Sequence, residues 1–225
     1  MVKQGGKLIV IEGTDGSGKA TQANLLLKRL GERGLKPKKL SLPQYGKKSA
    51  GPTEEYLSGK YGQSYKVDPY AASVLFAVDH FDLAQEIKRL LREGYVVVMD
   101  RYVDSNAGHQ GGKIKDRLKR AKFVRWLYEL EYNILKIPKP DIVLILYMPA
   151  AVSQELALKR QSQLGKAADL HEANLDHLQG AEEAYLWLAE NYPQEHKLIE
   201  CIESGQILTP DKIHELVWKQ LFHTI

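Results

Sequence analysis

Seven consecutive residues, Gly13-Thr-Asp-Gly-Ser-Gly-Lys19, spell the pattern G-x-x-x-x-G-K. Glycines at 13, 16 and 18 let successive backbone N–H groups curl around a phosphate. A helix opening behind them would add its partial positive charge, and Lys19 would reach the β- and γ-phosphates of a nucleotide. The string departs from the usual pattern at one place: Ala20 stands where a Ser or Thr hydroxyl would meet Mg²⁺, and a hydroxyl follows one step later at Thr21. Mg²⁺ keeps several waters in most sites, so phosphates, waters and one carboxylate would suffice to hold it. An ordinary glycine-rich turn is the plainer alternative. The second constellation is Asp100-Arg101-Tyr102. A guanidinium there can fork onto a phosphate with two parallel N–H donors, and the aspartate can order Mg²⁺, its waters or the arginine. An Asp-Arg ion pair at a strand end is the plainer reading. The seven histidines show no metal-ligand spacing, and His171 and His177 are too far apart in sequence to share a helical face. Cys201, after an apolar run, reads as a buried small hydrophobe rather than a nucleophile.

These residues need elements to place them. Lys7-Leu-Ile-Val-Ile-Glu12 has the character of a fully buried strand ending at the glycine-rich turn. Ala23, Leu26, Leu27 and Leu30 then recur at helical spacing, with a stop at Gly34. A short strand is expected over 38–42, and a loop with one helical turn over 43–65. Asp68-Pro69 has the form of a helix N-cap followed by proline at the first helical position. That helix carries Ala72, Leu75, Phe76, Leu83, Ile87 and Leu90 and stops at Gly94. Tyr95 to Met99 is a third strand, with Asp100 and Arg101 at its C-terminal end. A loop and a basic helix follow, then a strand over 141–147, helices over 151–160 and 181–190, a strand over 197–202, and a last helix from Pro210. Five strands alternating with helices predict an α/β fold: a three-layer sandwich with a five-stranded parallel sheet, in which ligands lie beyond the C-terminal strand ends. Both constellations fall there.

Composition sets the bounds. The chain has 225 residues, 44% hydrophobic and 27% charged, which fits one globular domain over 1–225 and excludes disordered or fibrous classes. The longest apolar run, Ile142 to Met148, is far short of the ~20 residues needed to span a bilayer. The start of the chain lacks the pattern of a secretory signal, since Lys7 is followed by only four apolar residues before Glu12. A single cysteine suits a reducing cytoplasm. The 32 basic and 28 acidic residues give +4, which fits small anionic substrates without requiring nucleic acid. Lys113, Lys115, Arg117, Lys119, Arg120, Lys122 and Arg125 crowd one segment, but no aromatic interleaving accompanies them, so a solvated helix face is the better reading. No Asn-Lys-x-Asp guanine signature is present, which argues against a GTPase.

Taken together, Ile11-Glu-Gly-Thr-Asp-Gly-Ser-Gly-Lys19, Thr21-Gln22, Leu75-Phe76, Asp100-Arg-Tyr with Ser105 and His109-Gln-Gly111, and Lys139-Pro-Asp-Ile resemble the thymidylate kinases over nearly the whole chain. The resemblance implies Mg²⁺-dependent phosphoryl transfer from ATP to dTMP by a cytoplasmic homodimer that binds neither membrane nor nucleic acid. It implies that Gly13, Thr14, Asp15, Gly16, Ser17, Gly18, Lys19, Ala20 and Thr21 hold ATP. Asp15 would bond the acceptor 3′-OH, and Phe76 would stack on the pyrimidine. Arg101 would hold the acceptor phosphate, with Asp100 beside it, and Ser105 and Gln110 would line the base and sugar pocket. A lid near 160–175 would bring catalytic cations, here among Lys159, Arg160 and Lys166, as relatives with glycine at the position of Gly16 do.

Several positions depart from the family pattern. His80 stands where an arginine usually reads the thymine edge, and imidazole can still donate to a carbonyl oxygen. His109 replaces a Tyr or Phe. Leu42-Pro43-Gln44-Tyr45 lacks a phosphate-contacting arginine, which Lys47 or Lys48 would replace. Tyr147 replaces an aspartate. Three other readings stay open on these grounds: a kinase for another monophosphate such as dUMP, a catalytically weak nucleotide-binding regulator, and a nucleic-acid binder.

Overall fold

Alternate residues of a strand face opposite sides of a sheet, and the first strand, β1 (Lys7–Glu12), shows what that does here. Leu8 and Val10 enter one apolar cluster, Ile9 and Ile11 the other. The computed structural model, which describes residues 5–63, 66–164, 174–221 and 224, extends that division across the sheet. The strands are β1, β2 (Pro37–Ser41), β3 (Val96–Asp100), β4 (Ile142–Tyr147) and β5 (His196–Glu200), ordered β2-β3-β1-β4-β5 and parallel throughout. One face packs on α1 (Lys19–Glu32), α8 (Pro210–Leu221) and part of α6 (Ala150–Leu164). The other packs on α3 (Pro69–Arg92), α4 (Val103–Gly111), α5 (Arg117–Tyr128) and α7 (Leu175–Asn191). Each fully buried leucine, isoleucine or valine in these layers contributes about 1.5–3 kcal/mol.

This is the expected three-layer α/β sandwich, with strand ends within a residue or two of those expected. Asp68 caps α3 as its sequence implies: its side chain accepts from the amides of Tyr70 and Ala71. Several elements differ from expectation. Residues 43–65 hold more than one helical turn: a 3₁₀ turn, Lys48–Ala50, runs into α2 (Gly51–Leu57). The helix expected from 181 begins at Leu175, where Asn174 caps it through the amide of His177. Most telling, α4 occupies what reads as loop. Val103-Asp-Ser-Asn-Ala-Gly-His-Gln-Gly111 has too few apolar residues to show a helical period, and two glycines that disfavour a helix. Every residue of α4 except Ser105 is nonetheless buried. The glycine explains the burial, because a Cβ on Gly108 would sit 2.6 Å from the Tyr185 ring of α7. Close approach of α4 to α7 overrides propensity here. A π-helical turn, Glu129–Ile134, and a two-residue hairpin, β6 (Ile202–Glu203) with β7 (Gln206–Ile207), were not expected either.

The basic segment at 113–125 does not present all its cations outward. Arg120 is buried, its Nε donating to the carbonyls of Gly111 and Ile114, and Lys113 donates to Tyr56 Oη at 3.0 Å. Cys201 is fully buried, and burial with the neighbouring Glu200 charge pushes its thiol up to about 12, so it is not nucleophilic near neutral pH. No helix among the described residues is long and apolar enough to cross a membrane.

Candidate active site

The strand ends β1 and β3 lie side by side, with Ile11 paired to Asp100. The loop leaving β1 and the chain leaving β3 therefore start as neighbours, and a cleft of about 750 Å³ opens above them. From the glycine-rich loop, Asp15, Gly16, Gly18, Lys19, Ala20 and Thr21 line it; Thr14 and Ser17 are buried beneath. Gly13, Gly16 and Gly18 all take positive φ. Gly16 has a second constraint, since a Cβ there would lie 1.9 Å from the Ser153 carbonyl of α6. Thr14 Oγ1 and Ser153 Oγ, 3.1 Å apart, tie the same two segments. The loop ends directly in α1, so its amides and the helix N-terminus point into one volume. Lys19 Nζ donates to the carbonyls of Gly13 and Thr14 at 2.9 and 2.8 Å. Burial, then repulsion from Arg101, lowers its pKa to about 8. An arriving polyphosphate would reverse that and hold the ammonium charged.

Arg101 follows β3 with φ 70, a conformation that costs a non-glycine residue free energy and turns its side chain back over the strand ends. One end of its guanidinium pairs with Asp15 of the loop. The other donates to His109 Nε2 at 3.2 Å and approaches Ser105 Oγ at 3.5 Å. Burial opposes the charge, but Asp15, with smaller contributions from Glu12 and Asp100, outweighs it and keeps the guanidinium ionised. Asp100 lines the cleft with its carboxylate 3.9 Å from Lys39 Nζ.

The cleft's outer wall is α3, where Phe76 and His80 lie one turn apart. Phe76 is half-buried and meets Tyr56 edge to face, with centroids 5.7 Å apart. His80 Nδ1 lies 2.9 Å from Glu131 Oε1 in the π-helical turn, and both side chains are buried. Burial opposes protonation of His80, but Glu131 outweighs it and raises the pKa. Ser105, Asn106, His109 and Gln110 of α4 close the floor. The structure thus brings the two constellations and the proposed base-side residues into one cleft. Lys47, Lys48 and Lys159 are exposed and do not line it; Lys47 instead donates to Gln44 Oε1. Most of the expected lid, 165–173 with Lys166, and the Arg160 side chain lie outside the described residues.

Sequence reasoning missed Glu12. Its Oε1 accepts from the amides of Tyr102 and Ser105 at 2.7 and 2.9 Å, and its Oε2 from Ser105 Oγ and Tyr185 Oη at 2.6 and 3.0 Å. One carboxyl thereby fastens the turn that carries Arg101 to β1. The signal was the strand period: residue 12 shares a face with Leu8 and Val10, so it points under α4 and not into solvent. Burial, then the charge of Asp104, raises its pKa from 4.5 to about 7. The folded state therefore binds this proton more tightly than the unfolded chain. The stability it contributes is present at low pH and is lost as pH rises from about 4.5 through 7. Glu12→Gln keeps acceptor and donor positions, so it is expected to flatten the fall in stability over that window, by at most about 1.4 kcal/mol per pH unit for one proton. Urea midpoints of both proteins at pH 5, 6 and 7 check this, and parallel pH profiles would contradict it.

The thymidylate kinase family model matches residues 11–208. The chain belongs to this family. It is 34% identical over 188 residues to the thymidylate kinase of Mycobacterium tuberculosis, covering 81% of this chain and 85% of that one. It is 28% identical over 213 residues to a probable thymidylate kinase of Methanosarcina barkeri, covering 94% and 96%. The solved thymidylate kinase of Candida albicans superposes with TM-score 0.70 over 96% of this chain and 91% of that one, at 23% identity, and supports the fold. As a thymidylate kinase the chain is a nucleoside monophosphate kinase, an enzyme that transfers a phosphoryl group from ATP to dTMP. A cleft in which a fixed guanidinium sits directly beside a phosphate loop has the layout that this reaction needs.

Proposed function

We propose that the two nucleotides meet end to end in this cleft, ATP on the Gly13–Thr21 loop and dTMP between Arg101 and α3. The observation that carries the reading is the Arg101–Asp15 pair, which docks the chain leaving β3 onto the phosphate loop itself. Lys19 and the loop amides grip the β- and γ-phosphates. Arg101 holds the acceptor phosphate in line with them, and Asp15, beside it, accepts from the 3′-OH. Phe76 offers a ring face to the pyrimidine. Protonated, as the Glu131 carboxylate favours, His80 gives Nδ1–H to Glu131 and has Nε2–H left to donate to a base carbonyl. Ser105, His109 and Gln110 complete the sugar and base pocket. Arg160 and Lys166 supply further cations over the transferred phosphoryl oxygens, where charge spreads in the transition state.

Mg²⁺ fits this donor set. Among the described residues no group of three or more His, Cys, Asp or Glu could cage an ion, so the cation would keep waters and phosphate oxygens as ligands, with Asp100, one of the carboxylates lining the cleft, to order them. Bound there, it would screen the repulsion between the triphosphate and the acceptor phosphate. The chain works as one domain with a lid near 160–175, in the cytoplasm and as a homodimer. The exposed stripe of Val74, Val78 and Phe81 on α3, opposite the cleft-facing Phe76 and His80, suits the face of a second copy.

Coupled ADP release from Mg²⁺-ATP across a panel of monophosphates tests the acceptor assignment. The expected order has dTMP first and dUMP below it. It puts dCMP at least about 100-fold lower in kcat/KM, because its amino group would face the His80 donor. A rate for dCMP equal to that for dTMP would overturn the base assignment.

A further inference from the structure

The guanidinium of Arg101 can only donate hydrogen bonds. Its contact with His109 Nε2 at 3.2 Å therefore requires that nitrogen to carry a lone pair and not a hydrogen. A neutral imidazole keeps its one hydrogen on the other nitrogen, so His109 Nδ1 must be the donor. Nδ1 lies 3.1 Å from Nε2 of His177, which must then accept. The direction of the whole chain, Arg101 to His109 to His177, follows from the arginine alone. The rings are placed for it. The His109 and His177 planes are within 15° of parallel, Tyr185 packs edge-on against His109, and both histidines are buried. His177 is itself fixed in the first turn of α7, where its amide donates to Asn174 Oδ1.

We propose that His177 is a positioning residue for the acceptor nucleotide: by accepting from His109 Nδ1 it locks His109 in the tautomer that can receive Arg101. Without that acceptor, Nδ1–H loses the bond to His177 that favours it, and the tautomer with its hydrogen on Nε2 gains ground. Nε2–H would then face a guanidinium N–H, donor against donor, and push Arg101 from its place beside Asp15. His177 lines no part of the cleft, so its effect runs through the other two residues. The proposal rests on the reading of Arg101 as the acceptor-phosphate group.

His177→Leu is expected to raise KM for dTMP about tenfold, the loss of one hydrogen bond in a chain ending on a charged group, while leaving KM for ATP within about twofold. His177→Gln offers an amide oxygen to His109 and is expected to recover most of that loss. Arg101→Lys, assayed alongside, separates the two levels. If it leaves KM for dTMP unchanged, the acceptor assignment falls. If it raises KM and His177→Leu does not, only the role of His177 falls. An equal rise in both KM values, or His177→Gln as impaired as His177→Leu, also overturns the proposal, since both mark a merely structural residue. Ring-nitrogen NMR of the wild-type enzyme labelled with ¹⁵N-histidine decides the tautomer without any variant. The hydrogen of His109 is expected on Nδ1, and a hydrogen on Nε2 overturns the proposal.

Discussion

Lys19→Ala is expected to lower kcat about 1,000-fold, the loss of a pre-positioned cation over charge that develops on the transferred phosphoryl group. The fold should survive. Lys19 is buried with two loop carbonyls as its hydrogen-bond acceptors among the described residues, and burial already pulls its pKa to about 8. Its charge is thus an expense of the ligand-free fold that is recovered when polyphosphate arrives, and truncation should leave the melting temperature unchanged or raise it. KM for ATP should rise as well, because the ammonium contacts phosphate in both the ground and transition states. Steady-state kinetics with thermal melts of the same preparation check the pair of outcomes. A variant with near-normal turnover would show that the loop does not bind the reacting phosphates.

Arg101→Ala is the second large effect, expected at about 1,000-fold in kcat/KM for dTMP with KM for ATP little changed. Two changes would add. The forked contact to the acceptor phosphate is lost, and Asp15 loses its ion pair with the guanidinium. Arg101→Lys should recover little, since an ammonium cannot pair with Asp15, approach Ser105 and donate to His109 in one plane. Alanine at a position with φ 70 also carries backbone strain, so melts are needed beside the kinetics. The informative comparison is between the two substrates: a variant affecting ATP and dTMP equally would mark Arg101 as a structural ion pair.

The sheet was legible because β1, β3 and β4 are short apolar runs with Gly or Pro beside them, and the layers because helices between the strands repeat at 3.6 residues. What pointed to phosphate chemistry was local in sequence: seven residues for the loop and three at the end of β3. Glu12, Tyr185 and His177 were not legible in the same way, since each acts across elements far apart in the chain. Glu12 meets Ser105 and Tyr185, and His177 meets His109. The helix α4 was missed for a related reason: its helicity is imposed by packing on α7, with Gly108 admitting Tyr185, and not by its own apolar period. His80 was legible as a departure from the family pattern, but the buried Glu131 that raises its pKa comes from a π-helical turn that no periodicity marks.

The central claim is that a loop of backbone amides beside Lys19 and a guanidinium at Arg101 hold two nucleotides phosphate to phosphate. A crystal structure of the enzyme with dTMP and an unreactive ATP analogue tests it most directly. The account predicts the triphosphate within the Gly13–Lys19 loop and the dTMP phosphate on Arg101, with the base against Phe76. Arg101 turned out of the cleft, or a loop that leaves the triphosphate in solvent, would contradict it.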